Sequence, residues 1–143
     1  MKHFIIFTLL LLSAAGCSQR VKVHGTVTFP DGEPVAFGQV CFVSPAFTFT
    51  GKLDANGHYA AGDTRDGAGI PVGEYQVYLA NTALIKKIGA KDGTENYTLD
   101  ETERVDDKFT SPQTSGFVFS SIRGGNKTFD FTVERPKEAG SGQ

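Results

Sequence analysis

Polar and apolar residues alternate along much of this chain. From Val21 to Phe29 every odd position is apolar or Gly and every even position is polar. A period of two over nine residues predicts a β-strand that buries one face. The next segment repeats the pattern, with Val40 and Phe42 on one face and Cys41 on the other.

Seven segments have the period or the β-branched and aromatic composition of strands. They are residues 21–29, 36–43, 47–53, 58–61, 70–79, 117–122 and 128–133. Residues 30–34 predict a turn, and residues 54–57 and 123–126 predict hairpins, because each contains Gly with Asp or Asn. About seven short strands with regular turns predict an all-β fold, a two-sheet sandwich of Greek-key type.

Residues 83–104 lack this period, and we expect a long loop there with one helical turn at 83–88. Loops of more than ~12–15 residues inside compact domains are usually functional or disordered. The preferred interpretation of this loop is a tolerated insertion at one end of the sandwich. The alternative is that it forms the contact for any envelope protein partner. Its charges are segregated, with three lysines before three acids: Lys86, Lys87, Lys91, Asp100, Glu101 and Glu103.

The first 16 residues have the layout of a secretory signal peptide. Lys2 and His3 precede the apolar run 4–12, and the small residues 13–16 follow. The run is too short to span a bilayer, which takes ~20 residues. With Cys17 next, the segment 12–17 resembles a bacterial lipobox, which implies acylation of the Cys17 thiol. The alternative is an ordinary cleavage near Ala15 that leaves Cys17 a plain thiol.

Lipidation at Cys17 predicts an exported protein held on a membrane, because two or more acyl chains anchor stably. Ser18 rather than Asp follows, which favours the outer membrane if the cell has two. The expected organisation is a signal peptide (1–16), a lipidated N-terminus and linker (17–20), a sandwich domain (21–135) and a flexible tail (136–143). With Cys17 acylated, Cys41 has no partner for an intrachain disulfide.

Charge and composition exclude some classes of function. The 143 residues carry a formal net charge of −2, and nucleic-acid binding needs clustered Lys and Arg instead. No pattern predicts a cofactor or a metal site. The segment 54–57 opens like a calcium loop, but His58 and Arg65 occupy positions where a calcium loop needs oxygen ligands, so a turn is the preferred interpretation.

Catalytic residues are equally hard to find. His24 and His58 could form a catalytic pair, but we interpret them as two exposed histidines on separate segments without an acid or nucleophile at suitable spacing. Cys41 has no local basic partner, and we expect a packed, inert thiol rather than a nucleophile.

Four motifs occur in the order found in carboxypeptidase-regulatory-like domains. They lie at residues 23–42, 54–59, 71–77 and 107–117, and the resemblance spans 21–134. The last of these resembles a segment of small bacterial lipoproteins built on this domain. Ser121 stands where the family usually has an apolar residue, and the neighbouring Ile122 predicts a shifted register or a bulge.

The resemblance implies a transthyretin-like (prealbumin-like) β-sandwich, whose members of this kind are generally non-catalytic. We therefore expect a membrane-anchored structural or protein-interaction module of the cell envelope. The alternative is a solute-binding accessory module for a peptide or carbohydrate, and an envelope hydrolase is a third class. Fold relatives that hydrolyse 5-hydroxyisourate end in Tyr-Arg-Gly-Ser; the similar segment 122–125 is internal, which argues against that activity here.

Overall fold

The computed structural model describes residues 19–62, 68–89 and 97–137. These residues form eleven β-strands and one short 3-10 helix, and none of their helices is long and apolar enough to cross a membrane. In chain order the elements are β1 (Arg20–Thr28), β2 (Gln39–Val43), β3 (Thr48–Lys52), β4 (His58–Ala60), β5 (Ile70–Pro71), β6 (Gly73–Ala80), β7 (Ala83–Gly89), β8 (Tyr97–Glu103), the 3-10 helix η1 (Asp107–Thr110), β9 (Phe117–Ser121), β10 (Gly125–Thr128) and β11 (Phe131–Thr132).

One sheet contains β3, β2, β6 and β9 in that order, all antiparallel to their neighbours. On β6, Tyr75, Val77 and Leu79 are buried and share the face that the sequence predicts. On β2, Val40 and Phe42 belong to the hydrophobic core. The alternation of apolar residues therefore identified the inner face of this sheet.

The second sheet is organised around β1. Strands β4 and β5 pair with it antiparallel, and β10 and β11 pair with it parallel. The carbonyl of Val23 accepts from Ala61 N, whereas the carbonyl of the next residue, His24, accepts from Phe129 N. Successive carbonyls point to opposite edges of a strand, so β4 lies on one edge of β1 and β10 on the other.

Aromatic rings join the two sheets. Phe42 is fully buried, and its ring lies 5.8–6.4 Å, centroid to centroid, from the rings of Tyr59, Tyr75, Phe119 and Phe129. These four rings come from both sheets and from the segment after β10. The prediction of an all-β fold with two sheets is thus confirmed.

The seven predicted strands become eleven in the described residues, because two predicted strands are each divided and two further strands form within 83–104. The segment 70–79 splits before Gly73, whose φ of 153° is rare for residues with a side chain. There the chain leaves the sheet around β1 and enters the four-stranded sheet. The predicted strand 128–133 is likewise divided into β10, which extends back to Gly125, and β11.

The prediction of a long loop with a helical turn at 83–104 is wrong. Strands β7 and β8 pair antiparallel over seven residue pairs, from Ala83 opposite Glu103 to Gly89 opposite Tyr97. Hydrophobic alternation indicates a strand with one buried face, not backbone pairing as such. Strands β7 and β8 pair without that alternation. This two-stranded unit is called the hairpin below.

The predicted hairpin at 123–126 and the predicted shift or bulge near Ile122 also need correction. Residues 123–126 do not form a hairpin, because β9 pairs with β6 while β10 pairs with β1. The β9 register is not shifted either: Ser121 is buried and its hydroxyl donates to the Arg123 carbonyl, whereas Ile122 is 86% exposed. A serine can occupy this inward position because the carbonyl two residues on accepts its proton.

Candidate functional site

The polar side of β1 forms the floor of a depression lined by polar side chains. Its even-numbered residues are exposed or half-buried, whereas Val21, Val23 and Val27 are buried. In the register with β4, His24 lies opposite Ala60, and Thr26 lies opposite His58. The two histidines are therefore diagonal neighbours on adjacent strands, a relation in which long side chains reach each other.

His24 and His58 lie on separate segments, as predicted, but β1 and β4 are neighbours in one sheet. Both are exposed, as predicted, but they line one depression of about 340 Å³. The sequence does not reveal the approach, because residues 24 and 58 belong to strands that are not consecutive.

Thr128 and Asp130 complete this depression, which we call the histidine surface (His24, Thr26, His58, Thr128 and Asp130). The His24 Nε2 atom lies 3.2 Å from Thr128 Oγ1, and Thr26 N donates to Asp130 Oδ1 at 2.8 Å. No pattern in the sequence points to Thr128 or Asp130, since parallel pairing across about 100 residues leaves no local pattern.

The histidine surface presents imidazole, hydroxyl and carboxylate groups, some of which already hold hydrogen bonds. One Asp130 oxygen accepts a backbone N–H, and the buried Tyr59 hydroxyl beneath donates to the Phe129 carbonyl at 2.6 Å. Burial, helped by the nearby Asp130 charge, raises the pKa of Tyr59 well above its ordinary value, so the phenol stays protonated. Within the described residues, no three His, Cys, Asp or Glu side chains are grouped closely enough to hold a metal ion.

The segment 54–57 is a turn, as predicted, although not a simple hairpin. Gly57 N donates to the Asp54 carbonyl at 3.0 Å, and the turn carries the chain from β3 in one sheet to β4 in the other. One Asp54 carboxylate oxygen accepts from the backbone N–H groups of Asn56 and His58. These bonds, chiefly the one from His58, lower the pKa of Asp54.

Cys41 is packed, as expected, on the side of β2 opposite Phe42. It is buried and lies in register between Thr50 and Tyr78. Burial raises the pKa of the Cys41 thiol, and the Tyr78 side chain only partly offsets this. A thiol held in its neutral form is a poor nucleophile.

The residues predicted to contact a protein partner fall on the hairpin. Lys86 and Lys87 belong to β7, and the acids Asp100, Glu101 and Glu103 belong to β8. In register, Lys86 lies opposite Asp100. Lys91 and the predicted lipidation site Cys17 lie outside the described residues.

A second depression of about 450 Å³ lies on the outer side of the four-stranded sheet. Its lining combines β2, β6 and the segment after η1: Val43, Ser44, Pro45, Glu74, Gln76, Pro112 and Gln113. Three large apolar side chains are exposed elsewhere on the described surface, with exposed fractions of 57% for Phe47, 54% for Val118 and 86% for Ile122.

No protein-family model and no curated protein matches the chain. Among solved structures it is similar to a 9R-lipoxygenase from Cyanothece PCC8801, with 15% identity and a TM-score of 0.35. The match covers 86% of this chain, which spans only 18% of the length of that lipoxygenase chain. Similarity at this level indicates neither a shared fold nor a shared activity.

Proposed function

We propose that this chain is an exported, lipid-anchored β-sandwich that acts as a non-enzymatic interaction module of the cell envelope. The observation that carries the proposal is the succession of a lipobox-like segment at 12–17 and a β-sandwich whose first strand begins at Arg20. Such a succession suits a folded module tethered by its N-terminus.

The four sequence motifs further support membership of the carboxypeptidase-regulatory-like, transthyretin-like group with Greek-key connectivity. Two of them have clear structural roles. The Asp54–Gly57 turn connects the sheets, and near the end of the last motif the Ser115 hydroxyl donates to the Val77 carbonyl at 2.5 Å. These roles are structural, which agrees with a module that does no chemistry.

The non-enzymatic assignment rests on the histidine surface. His24 and His58 are exposed, the carboxylate beside them accepts a backbone N–H, and the Tyr59 hydroxyl is committed to a carbonyl. General acid–base catalysis needs groups aimed at a substrate and tuned to the working pH. The described surface offers hydrogen bonds instead.

The hairpin is the proposed contact for an envelope protein. It adds two paired strands of opposite charge, since Lys86 and Lys87 lie on β7 and the acids Asp100, Glu101 and Glu103 lie on β8. A partner surface with the complementary arrangement of charges would bind the hairpin in one specific orientation.

Mass spectrometry of the N-terminal peptide, with membrane fractionation, tests the anchor. We expect Cys17 to carry lipid and the protein to sediment with membranes. The Cys17→Ser variant should lose both properties, and the matched Cys41→Ser variant should keep both. An unmodified Cys17, or a protein wholly in the soluble fraction, would contradict the proposal.

A solute-binding module is the second candidate, and the histidine surface favours it. A depression of about 340 Å³ lined by imidazole, hydroxyl and carboxylate groups matches the hydrogen-bonding needs of a sugar or peptide. Glycan and peptide arrays probed with the protein and with the His24→Gln/His58→Gln double variant test it. Binding that disappears in the double variant would support this candidate, and hydrolysis that disappears would revive the enzyme class.

A further inference from the structure

We propose that the end of the sandwich where β1 begins is a surface that contacts the anionic headgroups of the anchoring membrane, an inference that rests on the proposed lipid anchor at Cys17. The first argument is chain length. Only residues 18 and 19 separate Cys17 from Arg20, so the lipidated residue lies within roughly 10 Å of the first strand. The polar layer of a bilayer is itself about 5–8 Å deep on each side.

Several segments meet at this end, which we call the proximal end (residues 19–22, 44–47, 70–74 and 120–127). Val72 N donates to the Gln19 carbonyl at 3.0 Å, and Gly124 N donates to Gln19 Oε1 at 3.3 Å. Arg20 pairs in register with Pro71. The two residues between Cys17 and Arg20 therefore keep the segments bonded to Gln19 and Arg20 near the headgroups.

Two of the three large exposed apolar side chains lie at the proximal end. Ile122 follows the last residue of β9 and is 86% exposed. The Phe47 ring lies 5.9 Å from that of Phe49, which contacts Tyr75, and the Tyr75 hydroxyl donates to the Pro71 carbonyl. Exposed apolar groups at the rim of an anchored domain gain free energy by entering the membrane interface.

Two basic side chains lie beside Ile122. Arg123 and Lys127 line a depression of about 420 Å³ with Ser120, Ser121 and Ile122. Among the described residues, no carboxylate pairs with either of these two cations. Arg20, whose guanidinium donates to the Gly69 carbonyl, and the exposed Lys22 add to the charge at this end.

The opposite end has the opposite character. Val27 N donates to the Gly57 carbonyl, which places the 54–57 turn about 20 Å along β1 from the proximal end. The turns there carry Asp31, Glu33 and Asp54, and Arg135 is paired with the first two. At the proximal end Glu74 also contributes an acid. The proximal end therefore carries more cations than carboxylates. The opposite end, where Lys52 and Arg135 lie beside Asp31, Glu33 and Asp54, carries more carboxylates than cations.

A lipid surface fits these observations better than a protein because the anchor already brings one there. Each Lys or Arg near an anionic bilayer strengthens its attraction about fivefold. Hydroxyls, two cations and one protruding apolar side chain suit phosphate headgroups at the edge of the acyl region.

The absence of Trp from the chain allows a direct test with a matched pair of variants. Asn126→Trp places an indole at the proximal end, and Asn56→Trp places one in the opposite turn; both asparagines are exposed. The purified proteins are reconstituted into vesicles of phosphatidylcholine, with or without phosphatidylglycerol, that contain headgroup-quenching lipids. Mass spectrometry of the same samples reports the lipid on Cys17 separately.

We expect quenching of the Asn126→Trp indole in phosphatidylglycerol vesicles and none in the Asn56→Trp protein. Adding Arg123→Gln and Lys127→Gln should lower the ratio of membrane-contacting to free orientation about fivefold each, and high salt should have a similar effect. Lipidated protein whose indole at 126 stays unquenched would overturn the surface while the anchor stands.

If Cys17 carries no lipid, the anchor proposal fails and the surface is judged alone. Quenching at position 126 that requires phosphatidylglycerol, Arg123 and Lys127 would still support it, and lack of quenching would overturn it. A crosslinker at position 126 that captures a protein in cells, while vesicles leave the indole unquenched, would assign this end to a protein partner and also overturn the proposal.

Discussion

The four-stranded sheet and the sheet around β1 are built on different principles. In the first, β2 and β3 are consecutive and pair antiparallel. In the second, Val21 of β1 lies opposite Gly125 of β10, and short fragments cover both edges of one long strand. The strands that pair with β1 lie far from it in sequence, so forming this sheet orders most of the described chain. We therefore expect the stability of this sheet to depend on a few tight long-range contacts.

The Phe42→Ala substitution should have the largest effect, because this ring contacts aromatic residues of both sheets. Emptying a fully buried phenylalanine site costs about 3–5 kcal/mol of unfolding free energy. Urea unfolding followed by circular dichroism measures it. The matched Phe47→Ala change removes a 57% exposed ring and should cost less than about 0.5 kcal/mol; similar losses for both would refute a shared aromatic core.

The Gly25→Ala substitution should have the next largest effect on the free energy of unfolding. A Cβ at Gly25 would lie 2.0 Å from the Phe129 carbonyl oxygen, where the chain passes from β10 to β11. Backbone must move to relieve this clash, and we expect a loss of about 3 kcal/mol in urea unfolding.

Gly116→Ala is the control for this clash, since a Cβ there meets nothing within 4 Å, although its φ is 74°. It should cost about 1 kcal/mol from backbone conformation alone. An equal cost at Gly25 and Gly116 would show that the backbone between β10 and β11 moves easily to relieve the clash with a Cβ at position 25.

Tyr59→Phe should cost about 1 kcal/mol at pH 7, because it removes the hydrogen bond to the Phe129 carbonyl. The substitution should also change how the free energy of unfolding depends on pH in alkaline solution. The folded state keeps a proton that the unfolded phenol loses near pH 10, so stability falls as the pH rises above about 10. Unfolding at pH 9–11.5 should show a flatter decline in the variant, and an unchanged decline would contradict the assignment.

Asp54→Asn should produce a smaller change, a loss of stability at neutral pH that disappears in acid. The folded pKa of this carboxyl is lowered, so its contribution is present above the unfolded pKa and disappears as the pH falls through the folded value. Thermal unfolding from pH 6 to pH 2 should give a shallower acid decline in the variant. A parallel decline in both proteins would mean that the bonds to Asn56 N and His58 N do not favour the charged form.

Replacing 86–103 by a short Gly-Ser linker should have the smallest effect on the sandwich. Neither half of this segment pairs with a sandwich strand in the described residues, and the buried Thr82 and Val105 are retained. We expect a single cooperative transition with an almost unchanged midpoint. Failure to fold would make the hairpin part of the core, and unchanged capture of every envelope partner would remove its proposed contact role.

Local chemistry accounts for what the sequence predicted correctly. The inward faces of β1 and β6, the turns at 30–34 and 54–57 and the packing of Cys41 follow from alternation, from Gly and Asp in turns, and from residue type. Each of these depends on neighbours within a few positions along the chain, which a pattern of residues records.

Tertiary structure alone decided which strands meet. The sequence by itself determined an all-β chain and the inward faces of strands such as β1 and β6, because the period of side chains along a strand is fixed by the backbone. It did not determine that β10 runs parallel to β1, that β7 pairs with β8, or that His24 and His58 share a surface. Those pairings are choices among edges with equivalent backbone hydrogen-bonding groups. For the strands around β1, the packing of the aromatic core between the two sheets selects among them.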